Sequence, residues 1–501
     1  MNITELFLSA ANKYPDKMAI IDPKESISYN QLSKEVKTTA TYFIEEGVKK
    51  GDRVLVFVPM GVDLYRIVLA LFYIGATAVF LDEWVSKKRL EICCELADCK
   101  AFIGVFKARV LGLFSKQLRG IPLKLKLKKQ SKNEVPIVQV EPEETALITF
   151  TTGSTGVPKA ANRTHGFLKE QFDALLDEID PKVDDIDMPV LPILLFVNLG
   201  VGCTSVIANF KVTKPETIKV DVIIDQLQQY KVNRIIASPF FIKKLAQYVI
   251  EQNINLTDLK KVFTGGAPVF PFEATLYIQA FKAAKTTIVY GSTEAEPISS
   301  IDAKELTTKD NRLISGLPVG DPYHKVKIKI IKISAGEIKA CSIEELNGLS
   351  LENGEIGEII VAGKHVLKKY FKNEEAFKQN KILVGDTVWH RTGDSGLMIK
   401  EQLYLLGRCK QLIQTSEGYL SPFIIENQLQ SINGVEIGTL MQINNKNILV
   451  LQSKCDIGLL KEELMDIQYD DVLIIDKIPR DQRHNSKIDY ENLKLMLKYL
   501  V

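Results

Sequence analysis

Residues 149–159 read TFTTGSTGVPK. The apolar run 146–150 has the makeup of a strand. It feeds a loop of Thr151, Thr152, Gly153, Ser154, Thr155 and Gly156 that ends in Pro158 and Lys159. Small residues let backbone N–H groups and hydroxyls approach a polyphosphate closely, and the lysine adds a point charge. The loop is not a Walker A element, because Gly156 is followed by Val-Pro-Lys instead of Gly-Lys-Ser/Thr. On composition alone, a flexible turn is a rival reading.

Outward from this loop, helical patterns alternate with short strand-like runs up to about residue 400, such as 53–59 (RVLVFVP), 100–105 (KAFIGV), 234–237 (RIIA) and 286–290 (TTIVY). Strands alternating with helices predict parallel, doubly wound α/β layers. Residues 325–333 alternate lysine with isoleucine or valine, and GEIIV follows at 357–361. That pattern predicts an antiparallel β subdomain with one wet face. After Gly407 and Arg408 the chain has fewer than 100 residues of short strands and helices, enough for a small separate domain. The expected organisation is an α/β domain over 1–408, holding two doubly wound subdomains and the β subdomain. A small mobile α+β domain over 411–501 follows, with Lys410 as the hinge.

At 501 residues the chain calls for two or more domains. Charged residues at 25% and hydrophobic residues at 46% describe an ordinary globular protein. A net charge of +2 argues against a dedicated nucleic-acid binder. Seven cysteines, without CxxC pairs or zinc-ligand spacing, suit a reducing cytoplasm. The N-terminus lacks the basic start and apolar run of a signal peptide. Ile3, Leu6, Phe7 and Ala10 instead recur at helical spacing. Two apolar stretches, 67–81 and 190–210, are interrupted by Gly75 and by Pro192, Asn198, Gly200 and Gly202. Buried core is the better reading of both, and no transmembrane segment is expected. The basic segment 124–132 (KLKLKKQSK) reads as a solvated edge strand or loop in preference to a membrane or phosphate contact.

The phosphate loop resembles that of the adenylate-forming (AMP-binding) superfamily, which holds acyl-CoA synthetases, peptide-synthetase adenylation domains and luciferases. Further motifs stand in the family's order over nearly the whole chain: TGGAP at 264–268, YGSTE at 290–294, GEIGE at 354–358 with Tyr370-Phe371, RTGD at 391–394, Gly407-Arg408, and Pro479-Arg480 before Lys487. The resemblance implies that Gly265, Gly266, Ala267 and Pro268 form the adenine-side loop and that the Tyr290 ring stacks on adenine beside Gly291 and Ser292. It implies that Thr293 contacts phosphate, Glu294 holds Mg2+, Asp394 binds the ribose hydroxyls with Arg408 near the nucleotide, and Lys487 is the mobile catalytic cation. Each role suits its side chain, since an aromatic face packs on a purine, a carboxylate accepts two hydroxyl hydrogen bonds, and a carboxylate oxygen is a hard ligand for Mg2+.

Several segments depart from the usual pattern. LPILLFV at 191–197 lacks the family's histidine and suggests a greasy acyl pocket at Leu194, Leu195 and Phe196, with ordinary core packing as the rival reading. The loop at Thr415–Tyr419 lacks a second glycine, and Ser486 replaces the glycine before Lys487. LPILLF, YGSTEAEPISSI (290–301) and RHNSKI (483–488) resemble a subgroup that includes β-lactone synthetases of olefin biosynthesis. The expected activity is ATP- and Mg2+-dependent conversion of a carboxylic acid, of medium or long chain, to its acyl-adenylate, followed by thioester formation with CoA. The alternative is closure of a 3-hydroxy acyl-adenylate to a β-lactone without CoA. A non-catalytic AMP-binding protein stands last, because Glu294, Asp394 and Lys487 are all present.

Overall fold

In a computed structural model, described at residues 1–81, 87–113, 115–151, 158–211, 214–308, 315–340, 342–416, 418–455, 457–460, 462–465, 467–481 and 487–498, the apolar runs fold into two large sheets. The smaller one has the order Leu123–Leu125, Ala101–Gly104, Arg53–Phe57, Thr77–Phe80, Thr145–Thr151 and Lys159–Thr164. Its first five strands are parallel and the last is antiparallel. Successive side chains on a strand point to opposite faces, so a run such as VLVF after Arg53 must be apolar throughout when helices cover both faces. Val54 and Val56 accordingly pack with Tyr29, Phe43 and Phe72 from helices Tyr29–Glu45 and Val62–Tyr73. Leu55, between them, packs with Leu90 and Cys93 of helix Lys87–Ala97 on the other face.

The larger sheet is parallel through Met18–Ile21, Thr204–Val206, Ile186–Pro189, Arg234–Ala237, Lys261–Gly265 and Lys285–Ser292. It continues without a break into antiparallel strands Ala295–Asp302, Leu317–Pro322, Gln402–Arg408, Thr387–Ile399, Gly357–Ala362 and Lys327–Ile331. The alternating lysine stretch is thus the outer edge of the large sheet, with Lys327 exposed and Ile331 buried.

The broken apolar stretches form core elements. Gly75, at φ +67°, turns the chain from helix Val62–Tyr73 to strand Thr77–Phe80. Pro192 sits in the first turn of helix Pro192–Val201, where its missing N–H costs nothing, and Gly202 ends that helix in the left-handed conformation. No described helix is long and apolar enough to cross a membrane. The basic run at 124–132 starts in the edge strand Leu123–Leu125. Helix Thr4–Lys13 buries Phe7 and Ala10 in the core.

Beyond Arg408, strands Val435–Ile443, Lys446–Ser453 and Asp471–Ile475 make a three-stranded sheet of their own. One apolar cluster, with Ile425, Leu429 and Leu449, packs helix Pro422–Gln430 against it. Another, with Ile448, Val450, Leu493 and Leu497, does the same for helix Tyr490–Leu497. The contacts with the rest of the chain include Phe270 against Phe423, with ring centres 5.0 Å apart, and the Ser421 hydroxyl donating to the Leu406 carbonyl.

Segment 366–371 stitches the two large sheets together. Val366 bridges to Ala295 on one side, and Tyr370 bridges to Ala161 on the other. The Leu367 N–H donates to the Glu294 carbonyl at 2.7 Å, and the Phe371 N–H donates to the Ala160 carbonyl at 2.8 Å.

Candidate functional site

Strand Thr145–Thr151 leads into the expected phosphate loop, of which Thr152, Gly153, Ser154, Thr155 and Gly156 lie outside the described residues. Lys159 opens the next strand, half-buried, and its ammonium donates to Asn380 Oδ1 at 2.6 Å. Burial pushes this ammonium below its ordinary range, and Glu294 pulls the other way.

Two parallel neighbours of the larger sheet, Lys261–Gly265 and Lys285–Ser292, end side by side. A Cβ on Gly265 would stand 2.5 Å from the Val289 carbonyl oxygen, so only glycine fits there. Gly266 turns away with φ +83°, leading to Ala267 and Pro268. Tyr290 ends the apolar part of its strand, and its hydroxyl donates to Asp394 Oδ2 at 2.7 Å. Burial and the adjacent carboxylate hold the Tyr290 phenol well above its ordinary range. Asp394 lies mid-strand in Thr387–Ile399, where its N–H donates to Thr392 Oγ1 and Arg408 Nη1 lies 3.1 Å from its Oδ1. Asp394 raises the Arg408 guanidinium above its ordinary value. Tyr290, Asp394 and Arg408, which are 118 positions apart at the extremes, therefore form one cluster. Gly291 and Ser292 follow in the hairpin, and a Cβ on Gly291 would lie 2.9 Å from the Ala295 carbonyl oxygen.

Glu294 anchors a second cluster. The Tyr370 hydroxyl donates to Glu294 Oε1 at 3.3 Å, and burial raises the Tyr370 phenol. Lys159 Nζ and Lys381 Nζ lie 6.0 and 5.4 Å from the Tyr370 ring centre. The Thr293 carbonyl accepts from Arg163 Nη2 at 3.2 Å. Residue-type reasoning missed Tyr370, Asn380 and Lys381 as members of this cluster. A lysine opening the otherwise apolar strand KILV at 381–384 was the available signal. Lys381 is fully buried, and burial pushes its ammonium down to about 7. Arg391, in the RTGD motif, is taken up by the fold: its guanidinium forms a buried pair with Glu358 at 2.6 Å.

Among the described residues, Thr264 Oγ1 and Ser292 Oγ are buried without hydrogen-bond partners at the two strand ends. Buried hydroxyls are ordinarily satisfied, and these two suit a polar ligand lying across the strand ends, where open α/β sheets take their ligands. Mg2+ binds through one or two carboxylates plus substrate phosphates. Among the described residues no three His, Cys, Asp or Glu side chains gather as a metal cage. Glu294 as a lone carboxylate fits a magnesium carried by ATP.

Of the expected acyl-pocket residues, Leu194 and Leu195 are packed into the core, Leu195 fully. Phe196 instead lines an apolar cavity of about 50 Å³ with Ile193, Val197, Leu6, Phe72 and Phe172. Val197 and Phe172 also belong to the cluster of Phe263 and Val289, each one position before Thr264 and Tyr290. Lys410 is exposed in the short turn Cys409–Gln411 after strand Gln402–Arg408. Lys487 is exposed too. Its N–H donates to Asp481 Oδ1 at 2.7 Å, and its carbonyl accepts from the Asp481 N–H.

The model of the AMP-binding enzyme family matches residues 7–371. The chain belongs to the AMP-binding enzyme family. Among AMP-binding relatives, an olefin β-lactone synthetase of Stenotrophomonas maltophilia is 27% identical, with 98% of this chain and 97% of that protein covered. A feruloyl-CoA synthase of an Amycolatopsis species is 25% identical over 85% of this chain and 82% of its own length. The fold of this AMP-binding chain is that of O-succinylbenzoate coenzyme A synthetase from Bacillus subtilis, whose structure holds ATP and a magnesium ion. The TM-score is 0.79 at 21% identity, with 98% of this chain and 99% of that one covered.

Proposed function

We propose that this enzyme activates a medium- or long-chain carboxylic acid with ATP and Mg2+, forming the acyl-adenylate and pyrophosphate. The observation that carries the reading is the joining of Tyr290, Asp394 and Arg408 beside the Glu294–Tyr370–Lys159 cluster. One cluster supplies an aromatic face and a hydroxyl-binding carboxylate, and the other a magnesium ligand and a phosphate-binding cation. A substrate carboxylate oxygen attacks the α-phosphorus, and the bond to the β-phosphate bridging oxygen breaks. The carboxylate is already the nucleophile at neutral pH, so positioning and charge neutralisation supply the catalysis. Thr151 to Lys159 hold the β- and γ-phosphates, and Lys487 bridges carboxylate and α-phosphate once the 411–501 domain closes about Lys410. The apolar cavity at Phe196 takes part of the acyl chain. A reducing cytoplasm suits the free thiols.

Two second steps fit this adenylate. With CoA, the thiol attacks the acyl carbon, AMP leaves, and the thiol proton passes to solvent. In the other, the substrate's own 3-hydroxyl oxygen attacks, loses its proton and expels AMP, giving a β-lactone. The end-to-end likeness to the olefin β-lactone synthetase favours this second closure, which gains the proximity advantage of an intramolecular reaction. The test supplies ATP, Mg2+ and a 3-hydroxy fatty acid with and without CoA and identifies products by mass. Lactone without CoA establishes the ring closure, and thioester alone establishes the ligase. Failure of every acid to release pyrophosphate overturns the adenylation reading.

A further inference from the structure

Lys381 has only 2% of its surface exposed. Its ammonium donates to the Leu367 carbonyl and lies 5.4 Å from the centre of the Tyr370 ring. Among the described residues no carboxylate oxygen comes within 4 Å of it, whereas Arg391, also buried, has Glu358 and buried Arg234 has both Asp185 and Asp187. An ammonium removed from water costs several kcal/mol unless other groups replace its hydration. Here a carbonyl dipole and an aromatic face replace part of that hydration.

Those two partners both lead to Glu294. The Leu367 N–H donates to the Glu294 carbonyl, and the Tyr370 hydroxyl donates to Glu294 Oε1. On its other side Lys381 is fixed by register. It opens strand Lys381–Val384 opposite His390, four residues before Asp394 on strand Thr387–Ile399. The preceding residue, Asn380, accepts from Lys159. One side chain therefore ties the strand that carries Asp394 to the segment that sets Glu294.

We propose that Lys381 is a positioning residue for Glu294: its ammonium, on the Leu367 carbonyl and against the Tyr370 ring, holds segment 366–371 so that the Glu294 carboxylate is set to receive magnesium on ATP. The proposal rests on the reading of Glu294 as the magnesium-side carboxylate.

Calorimetric titration of the full chain with Mg·ATP, with ATP in EDTA and with AMP tests it. Lys381→Met keeps length and apolar bulk while removing the ammonium. It is expected to weaken Mg·ATP about tenfold or more, leaving AMP and metal-free ATP within about twofold, as loss of a ligand-orienting partner does. Tyr370→Phe keeps the ring and removes the hydroxyl, and it shifts Mg·ATP affinity the same way. Equal weakening of all three nucleotides, or none, in Lys381→Met overturns the proposal. If Lys381→Met does not fold, unchanged Mg·ATP affinity in Tyr370→Phe overturns it. Glu294→Gln separates the two levels. If it leaves Mg·ATP binding intact, the magnesium reading itself falls. If it weakens binding while Lys381→Met does not, only the role of Lys381 falls.

Discussion

The Tyr290 hydroxyl donates to Asp394 Oδ2 at 2.7 Å, joining the end of a parallel strand to the middle of an antiparallel one. Arg408 holds the other carboxylate oxygen at 3.1 Å, so Asp394 is oriented from two sides. Asp394→Asn keeps the shape and loses the charge, leaving the guanidinium without its carboxylate. Hydrogen bonds to charged groups contribute about 1.5–3 kcal/mol, so AMP affinity should fall roughly 10- to 100-fold. Tyr290→Phe, which retains the ring, should cost only a few-fold, on the order of 1 kcal/mol. Equilibrium AMP titrations measure both, and unchanged affinity in Asp394→Asn would remove Asp394 from the nucleotide site.

Lys487 pairs with Asp481 through its backbone, and Arg480 bridges to Ile488 beside them. Removing a cation that neutralises transition-state charge costs about 100-fold or more in rate. Lys487→Ala should therefore suppress pyrophosphate release while ATP still binds. Release at the wild-type rate would refute the assignment.

The fully buried Arg234 guanidinium is held by Asp185 at 2.7 Å, Asp187 at 3.3 Å and the Asn198 carboxamide oxygen at 2.6 Å. Burial itself raises the Asp187 carboxyl, with Arg234 opposing. Arg234→Met leaves both aspartates without their counter-charge. Breaking a buried pair in this way destabilises by about 3–5 kcal/mol. Urea unfolding of the variant should show that loss, and an unchanged midpoint would mean the network rearranges without cost.

Glu426 gives the C-terminal region a pH-dependent contribution to stability. Burial raises its carboxyl to about 7, while hydrogen bonds from Tyr490 and Thr439 oppose. The folded state then binds more protons than the unfolded state between the ordinary carboxyl range and pH 7. Stability contributed by this group is complete below that range and declines as pH rises toward 7. Wild type should lose on the order of 2 kcal/mol across the window relative to Glu426→Gln. Parallel stability–pH curves for the two proteins would rule this out.

Phe196 and Leu6 both line the apolar cavity. Leu6→Trp fills space there, and overfilling a packed site costs about 1–3 kcal/mol. The variant should favour shorter acids in a pyrophosphate-release screen, and an identical chain-length profile would place the acyl chain elsewhere.

Much of the architecture was legible because its signals are local. The apolar runs 53–59 and 234–237 read as strands covered on both faces, and glycines such as Gly75 and Gly202 mark turns that only positive φ allows. The family was legible because its motifs stand in order along the chain, and the model of the AMP-binding family matches residues 7–371. Tertiary structure alone decided which of those residues meet. Tyr290 and Asp394 are joined by sheet order, Glu294 and Tyr370 by the seam at 366–371, and Lys381 by register opposite His390. None of these pairings leaves a periodic trace in the chain. Burial is also a property of the packed whole. A lysine beginning KILV looks like a strand edge until both faces are covered, and only then does its ammonium need a carbonyl and a ring in place of water.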